Sequence, residues 1–208
     1  MNISVTRALA EHKLIDKKIL SLTGRAKFMT LSKKDGATVD GNTIEQFGAD
    51  AQSAYDQLRS LLKQKASIKS AIIMSNAVTE VTIAGKTMKV AEAIERKNSI
   101  AFDKQVLETM RSNFVSTKSM YEREKANVES KLDAYLNQLF GASKATAKAE
   151  DIQLLSETYV KNNMSKLIDP IELEKKIVAM EAEINEFDKD VDFSLSESNT
   201  RTDIEVEL

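Results

Sequence analysis

The chain has 208 residues, of which 30% are charged, 42% hydrophobic and 5% aromatic, with one proline, one histidine and no cysteine. This length suits one domain, or one domain with an appendage. Without cysteine there is no disulfide, no thiolate nucleophile and no cysteine-ligated zinc, and we expect a reducing compartment. No apolar run approaches the ~18 residues that span a bilayer, so no membrane partner is expected.

Charge is distributed unevenly along the chain. Residues 1–36 contain eight basic and three acidic side chains, whereas residues 181–208 contain two basic and ten acidic ones. Because such asymmetry favours attraction, we expect the two ends to meet, within one chain or between subunits. Basic residues are mixed with acidic ones and no aromatic–basic strip is present, so no nucleic-acid partner is expected.

The first helical segment carries an apolar stripe with one residue every three or four positions, from Val5 to Leu22, with His12 within it. Ser4 or Thr6 can cap its start, and Gly24 can end it. The polar stretch that follows, residues 30–43, contains two glycines and is predicted to be a mobile loop.

The second helical segment has the clearest seam, with alternating spacings of four and three residues from Phe47 to Ile72. It extends over about four heptads, which is the length typical of a coiled-coil-like seam. Lys65 interrupts the seam, and is expected either to set the register of packing or to extend its charged end to solvent.

Residues 78–88 change to a strand pattern on either side of Ala84-Gly85, which predicts a small β-hairpin. Thr87 can cap the helix that follows. Gly85-Lys86-Thr87 also matches the end of a phosphate-binding loop, but that loop requires glycine where this chain has Glu80. An acidic side chain there would repel phosphate, so we expect a hairpin turn.

The third helical segment is predicted from about residue 89 to about residue 140. Asp103, Thr117 and Glu124 lie within its apolar stripe, which indicates partial exposure or a break near residues 115–125. Residues 141–150 are predicted to be a linker, and residues 151–167 a short helix.

The fourth helical segment opens with a start signal, in which Asp169 is the cap, Pro170 the first helical residue and Glu172 the third. An apolar stripe then runs to Leu195. Residues 202–208 alternate apolar and acidic side chains, which predicts a terminal strand.

A strand this short needs a partner, for which the 78–88 hairpin, the Ile3–Val5 stretch and a neighbouring subunit are candidates. The predicted oligomer or partner interface consists of the apolar residues of the tail and the hairpin: Ile204, Val206, Leu208, Val81 and Ile83.

The predicted fold is mostly α: an elongated antiparallel helical hairpin or bundle with a β-hairpin at about 78–88 and a C-terminal strand. Residues 1–140 are predicted to form the long-helix bundle with the hairpin, and residues 141–168 a linker and short helix. Residues 169–208 are predicted to supply a helix and a strand that pack back on the bundle.

Two groups of residues are of types that can carry catalysis or bind metal. His12 has no glutamate three residues before it, so the Glu-x-x-His motif of di-iron bundles is absent. Residues 188–192 are acidic at alternate positions, but glycine and glutamate are missing at the sixth and twelfth positions of a calcium loop. We therefore predict no catalytic residue, no cofactor and no metal, and a protein that is not an enzyme.

Three segments, TRALAEHKLIDKKI, IIMSNAVTEVTIAGKTMKVAEAIERK and EFDKDVDFSLSESN, follow one another in an order that resembles the septicolysin-like family. The resemblance implies an all-helical protein with a small hairpin and no assigned catalytic residues. The family's name alone suggests membrane activity.

The end segments MNISVTRALAEHKLIDKKI and LSESNTRTDIEVEL resemble uncharacterised proteins encoded in structural-gene regions of tailed phages of Gram-positive bacteria. This resemblance implies a virion or virion-assembly protein of the head, neck or tail, assembled in the host cytoplasm with other virion proteins. The long apolar stripes leave more apolar helix surface than a thin monomer can cover, so we also expect a homo-oligomer that is not an enzyme. Two alternatives remain open: a transient assembly factor or scaffold that is absent from mature particles, and a septicolysin-like helical oligomer.

Overall fold

The structure is a computed structural model that describes residues 1–32, 38–39, 41–141 and 148–206. The predicted mostly α class is confirmed, with small antiparallel strand pairs beside the helices. The helices are α1 (Val5–Arg25), α2 (Ile44–Val78), α3 (Val90–Phe140), α4 (Ala149–Asn163) and α5 (Leu173–Arg201). The strands are β1 (Asn2–Ser4), β2 (Thr38–Val39), β3 (Asn42–Thr43), β4 (Glu80–Ile83), β5 (Lys86–Lys89) and β6 (Asp203–Glu205).

Helix α1 begins as predicted at Ser4, whose hydroxyl accepts a hydrogen bond from the Arg7 backbone N–H at 3.3 Å. It does not end at Gly24. This glycine stays outside the left-handed region that commonly closes a helix, so the helix continues to Arg25. The Ala26 N–H then donates to the Leu22 carbonyl at 2.9 Å.

The predicted loop at residues 30–43 contains a short antiparallel pair, β2 with β3, so its described part is more regular than expected. Gly41 turns the chain between the two strands with φ of 83°. Thr43 then caps α2, because its hydroxyl accepts from the Gln46 N–H at 3.1 Å. Residues 33–37 and 40 of this loop lie outside the described residues.

The predicted seam of α2 is the side that faces α1, but its burial is graded. Ile68 and Ile72 are buried, whereas Phe47 and Leu58 are half-buried. Burial is greater at Ile68 and Ile72 because both belong to one core cluster with side chains of α1, β1 and β6. Its buried members are Ile3, Val5, Ala8, Ile15, Ile68, Ile72, Ile204 and Val206.

The predicted terminal strand is β6, and its partner is the β1 stretch of the same chain. The two strands are antiparallel, with Ile3 opposite Ile204. The Val206 N–H donates to the Met1 carbonyl at 2.9 Å, and the Met1 nitrogen donates to the Val206 carbonyl at 2.8 Å. The two ends of the sequence therefore meet within one chain, as one of the two charge-based alternatives predicted.

The hairpin is β4 with β5, and it starts later than predicted because α2 continues through Val78. Ala84 and Gly85 have φ of 50° and 73°, and positive φ at both central residues is the signature of the type I′ turn of tight hairpins. Thr87 faces Thr82 across the hairpin, with 3.1 Å between their hydroxyl oxygens.

Thr87 is therefore not the cap of α3, contrary to the sequence prediction. The Glu92 carboxylate reaches back to the Lys89 backbone N–H at 2.9 Å, which satisfies a donor before the first turn. The Val90 N–H donates to the Thr79 carbonyl at 2.9 Å, which joins the start of α3 to the end of α2.

Helix α3 is continuous over residues 115–125, so partial exposure rather than a break explains the polar residues in its stripe. Glu124 is half-buried and accepts a hydrogen bond from the Ser165 hydroxyl. The predicted linker lies partly outside the described residues, at 142–147, and α4 begins and ends before the predicted bounds of 151–167.

Helix α5 begins at Leu173 and not at Pro170. The Asp169 carboxylate does accept from the Leu173 N–H, at 3.0 and 2.9 Å, so the predicted capping residue is used. Pro170 and Ile171 form a turn before the helix, and Glu172 has φ of 56°. The left-handed Glu172 interrupts helical geometry, so the helix starts after it.

Backbone contacts divide the chain into unit 1, Met1–Ser99 with Glu186–Leu208, and unit 2, Ile100–Asn185. The division falls within α3 and α5, and the predicted division at residues 140 and 168 stays a prediction. Unit 1 contains the α1–α2 pair, the hairpin and the β1–β6 pair, and unit 2 contains α4 with the adjoining parts of α3 and α5.

Candidate interaction surfaces

The residues predicted as an interface lie inside unit 1. Val81, Ile83, Ile204 and Val206 are all buried by their own chain. Ile204 and Val206 belong to the core cluster, whereas Val81 and Ile83 are buried in the hairpin. Leu208 lies outside the described residues. The four described side chains are therefore already buried within a single chain. Their role in an interface stays a prediction.

Two of the acidic residues near the C-terminus form hydrogen bonds or ion pairs within unit 1. Asp190 accepts from the Ala84 N–H of the hairpin turn at 2.8 Å and from the Ser194 hydroxyl at 3.0 Å. Asp192 pairs with Lys97 of α3. Within the described ranges, no three His, Asp or Glu side chains are grouped in a way that could hold a metal ion.

His12 belongs to a small polar cluster between α1 and α2. The Lys65 ammonium lies 2.5 Å from the Asp16 carboxylate, and His12 Nδ1 lies 3.7 Å from the same carboxylate. Lys65, which interrupts the apolar seam of α2, thus has an acidic partner on α1. The pair favours one alignment of the two helices, because a shift of either helix by one turn would separate the charges.

The hydrogen bond from Lys65 holds the pKa of Asp16 below its ordinary value of 3.8. The unfolded chain therefore binds the Asp16 proton at higher pH than the folded chain does. The contribution of this pair to stability is present above the ordinary pKa and is lost as pH falls through the lowered one.

We expect the difference in unfolding free energy between the wild type and Lys65→Met to be positive near neutral pH and to shrink below pH 3.8. Urea unfolding of both proteins between about pH 3 and pH 6 measures this difference, which stays small because the pair is exposed. Asp16→Asn should reproduce the effect. A difference that does not change with pH would contradict the assignment.

A groove of about 510 Å³ runs between the C-terminal half of α1 and α2. Its floor contains Leu22 and Leu61, and its rim contains Lys17, Lys18 and Arg25. A second groove of about 430 Å³ shares Leu22 and Arg25 with it, so the two are continuous. We call this combined surface the basic groove. The sequence showed an excess of basic residues here but not that they line a concavity.

An aromatic side chain projects from α5 in the same unit. Phe193 is 70% exposed, and Glu186, Lys189 and Glu197 lie on its side of the helix at helical spacing. Phe193, Glu186 and Lys189 also line a shallow concavity beside Ala84 of the hairpin turn. We call Phe193 with Glu186, Lys189 and Glu197 the Phe193 face. The inward stripe of α5 was predicted, but this outward aromatic was not.

Among the described residues of unit 2, exposed large apolar side chains outnumber buried ones. Six are buried: Ile100, Leu107, Val128, Leu136, Ile177 and Ile184. Twelve large ones are exposed: Phe102, Val106, Val115, Met120, Tyr135, Leu139, Leu154, Val160, Leu167, Ile168, Ile171 and Val178. Single exposed apolar residues are normal, but this excess makes unit 2 the candidate for a surface that another protein covers.

Specific contacts hold the elements of unit 2 together. The rings of Tyr135 and Tyr159 stack with centroids 5.3 Å apart, which joins α4 to α3. Arg111 of α3 pairs with Glu181 of α5, and its guanidinium lowers the pKa of that carboxyl. A groove of about 320 Å³ lies in the same unit, lined in part by Phe114, Leu167 and Ile168.

None of the helices in the described part of the chain is both long and apolar enough to cross a membrane. Comparisons with protein-family models, with curated proteins and with solved structures find no match for this chain.

Proposed function

We propose that this chain is a non-enzymatic structural protein that works as a homo-oligomer. The excess of exposed over buried apolar side chains in unit 2 is the observation that carries the proposal. Phe102 and Val106 are one helical turn apart on α3, and Met120 follows about five turns after Phe102. These three exposed apolar side chains lie on one side of α3, with polar side chains between Val106 and Met120, and we call the three together the α3 strip.

Oligomerisation would remove the α3 strip from water. Each fully buried Val or Phe side chain contributes about 1.5–3 kcal/mol relative to its exposed state. Association has an entropic cost of several kcal/mol, which the burial of these side chains must exceed. Three side chains from one copy bury little apolar area, so the gain exceeds the cost only when several copies bury their strips together. A symmetric assembly of copies fulfils this requirement, since each copy contributes the same strip.

We place the oligomer in a tailed-phage virion, where the partners would be other virion proteins. The end segments that resemble phage structural-region proteins support this assignment. A transient assembly factor is the alternative, and the protein content of purified particles separates the two. Presence of the chain in mature particles supports the virion assignment, whereas its loss during maturation supports the assembly factor.

Light scattering after size exclusion, across a concentration series, tests the oligomer. We expect a mass that is a multiple of 23.1 kDa and rises with concentration. The double variant Phe102→Glu/Val106→Glu should shift this rise to at least about tenfold higher concentration, because about 1.4 kcal/mol of lost contact energy corresponds to that factor.

Ser112→Glu/Ser119→Glu is the matched control, since it adds the same two charges at exposed polar positions of α3 that lie off the side carrying the α3 strip. It should leave the mass unchanged. Circular dichroism should show equal helicity in all three proteins. A wild type that is a monomer at every concentration would refute the proposed function.

A further inference from the structure

The basic groove carries three cations without partners. Lys17, Lys18 and Arg25 form no ion pair with any residue among those the structure describes. The apolar floor at Leu22 and Leu61 lies between them. An apolar floor within a charged rim suits an apolar side chain that is flanked by carboxylates.

The C-terminal part of unit 1 offers the complementary chemistry. Residues 186–206 contain seven acidic and two basic side chains, whereas residues 1–27 contain six basic and two acidic ones. Within this acidic part, Phe193 is the large apolar side chain that its own chain leaves mostly exposed. Glu186 stands two turns before it on the same side of α5 and has no ion-pair partner among the described residues.

We infer that the basic groove of one copy receives the Phe193 face of a second copy. This inference rests on the proposed oligomer and names one of its contacts. Phe193 would pack on Leu22 and Leu61, while Glu186 and Glu197 approach the cationic rim. The occupant is another copy rather than an unrelated acidic molecule because both halves of the contact occur in one chain, each with its charges incompletely paired.

Such a contact is head-to-tail, since the groove and the Phe193 face consist of different residues. Every copy then presents one acceptor and one donor surface, so repeated contact builds a ring or an open filament. Attraction between exposed charges is screened by salt, so this contact should weaken as ionic strength rises.

Directed disulfide formation tests the contact in the full-length chain. The chain has no cysteine, so two single-cysteine variants, Ser60→Cys in the groove and Ser196→Cys beside Phe193, report only the introduced thiols. Mixed in equal amounts and oxidised, they should give a reducible heterodimer. We expect its yield to exceed the yield of either homodimer by at least about tenfold. The reason is that the basic groove of one copy contacts the Phe193 face of another, whereas two grooves or two Phe193 faces do not contact each other.

Ser70→Cys is the matched control for the groove cysteine, since Ser70 is exposed, lies ten residues after Ser60 and is on the side of α2 away from the seam that faces α1. Mixed with Ser196→Cys, it should give no more than background. Phe193→Ala within the Ser196→Cys chain, or Lys17→Glu/Lys18→Glu within the Ser60→Cys chain, should lower the heterodimer yield at least about tenfold. Circular dichroism verifies that these surface variants are folded.

A heterodimer yield equal to that of the Ser70→Cys mixture would overturn the inference. If the wild type is still oligomeric by light scattering, the proposed function survives and only this contact is wrong. If a labelled single-stranded oligonucleotide instead binds the wild type and loses binding in Lys17→Glu/Lys18→Glu, the groove holds nucleic acid and the inference is again overturned.

Discussion

Ile68→Ala should lower the free energy of unfolding by about 2–5 kcal/mol. Ile68 has 0% exposure and lies in the core cluster, where side chains of α1, β1 and β6 meet α2. Removal of its side chain beyond Cβ loses transfer free energy and leaves a cavity that close-packed neighbours cannot fill. Urea denaturation monitored by circular dichroism measures the change.

Ile73→Ala is the matched control, since Ile73 lies on the same helix and is 55% exposed. It should change the free energy of unfolding by no more than about 0.5 kcal/mol. Equal losses in both variants would mean that the core cluster does not sit where the structure places it.

Val206→Asp should destabilise the chain by several kcal/mol, because it places a charge at a position that is 1% exposed. The same change should separate β6 from β1 and expose the end of the core cluster, so the melting temperature should fall sharply. Glu205→Gln, at the exposed neighbouring position of β6, should leave the melting temperature nearly unchanged.

If Val206→Asp does not fold at all, Ile204→Val gives a graded version of the same test. It removes one methylene at a buried position and should cost about 0.5–1.5 kcal/mol. A Val206→Asp protein that melts at the wild-type temperature would show that β6 is not docked on β1.

The inward sides of the helices were predictable because they depend on local spacing. The stripes of α1, α2 and α5 face inward as the sequence indicated, and the β1–β6 pair is one of the three partners considered for the terminal strand. What covers each stripe was not predictable, since periodicity tells which side of a helix is apolar but not which element reaches it. Burial along α2 therefore increases from Leu58 to Ile68 without any change in the seam.

The helix ends and the candidate surfaces were predicted less well. The first residue of a helix depends on a few dihedral angles. The start signal therefore identified the capping residue, Asp169, correctly but placed the first helical residue too early. The Lys65–Asp16 pair and the basic groove both depend on how two helices are aligned. That alignment comes from contacts between residues that are far apart in sequence, and local sequence patterns do not predict such contacts.

The discontinuity of unit 1 has a consequence for folding during synthesis. Residues 1–99 leave the ribosome well before residues 186–206, and Ile204 and Val206 are members of the core cluster that also holds Ile3 and Val5. Until Ile204 and Val206 have been synthesised, part of the apolar surface of the α1–α2 pair stays exposed to water. A nascent chain stalled before residue 200 should therefore be more sensitive to protease and bind chaperones more readily than the released chain.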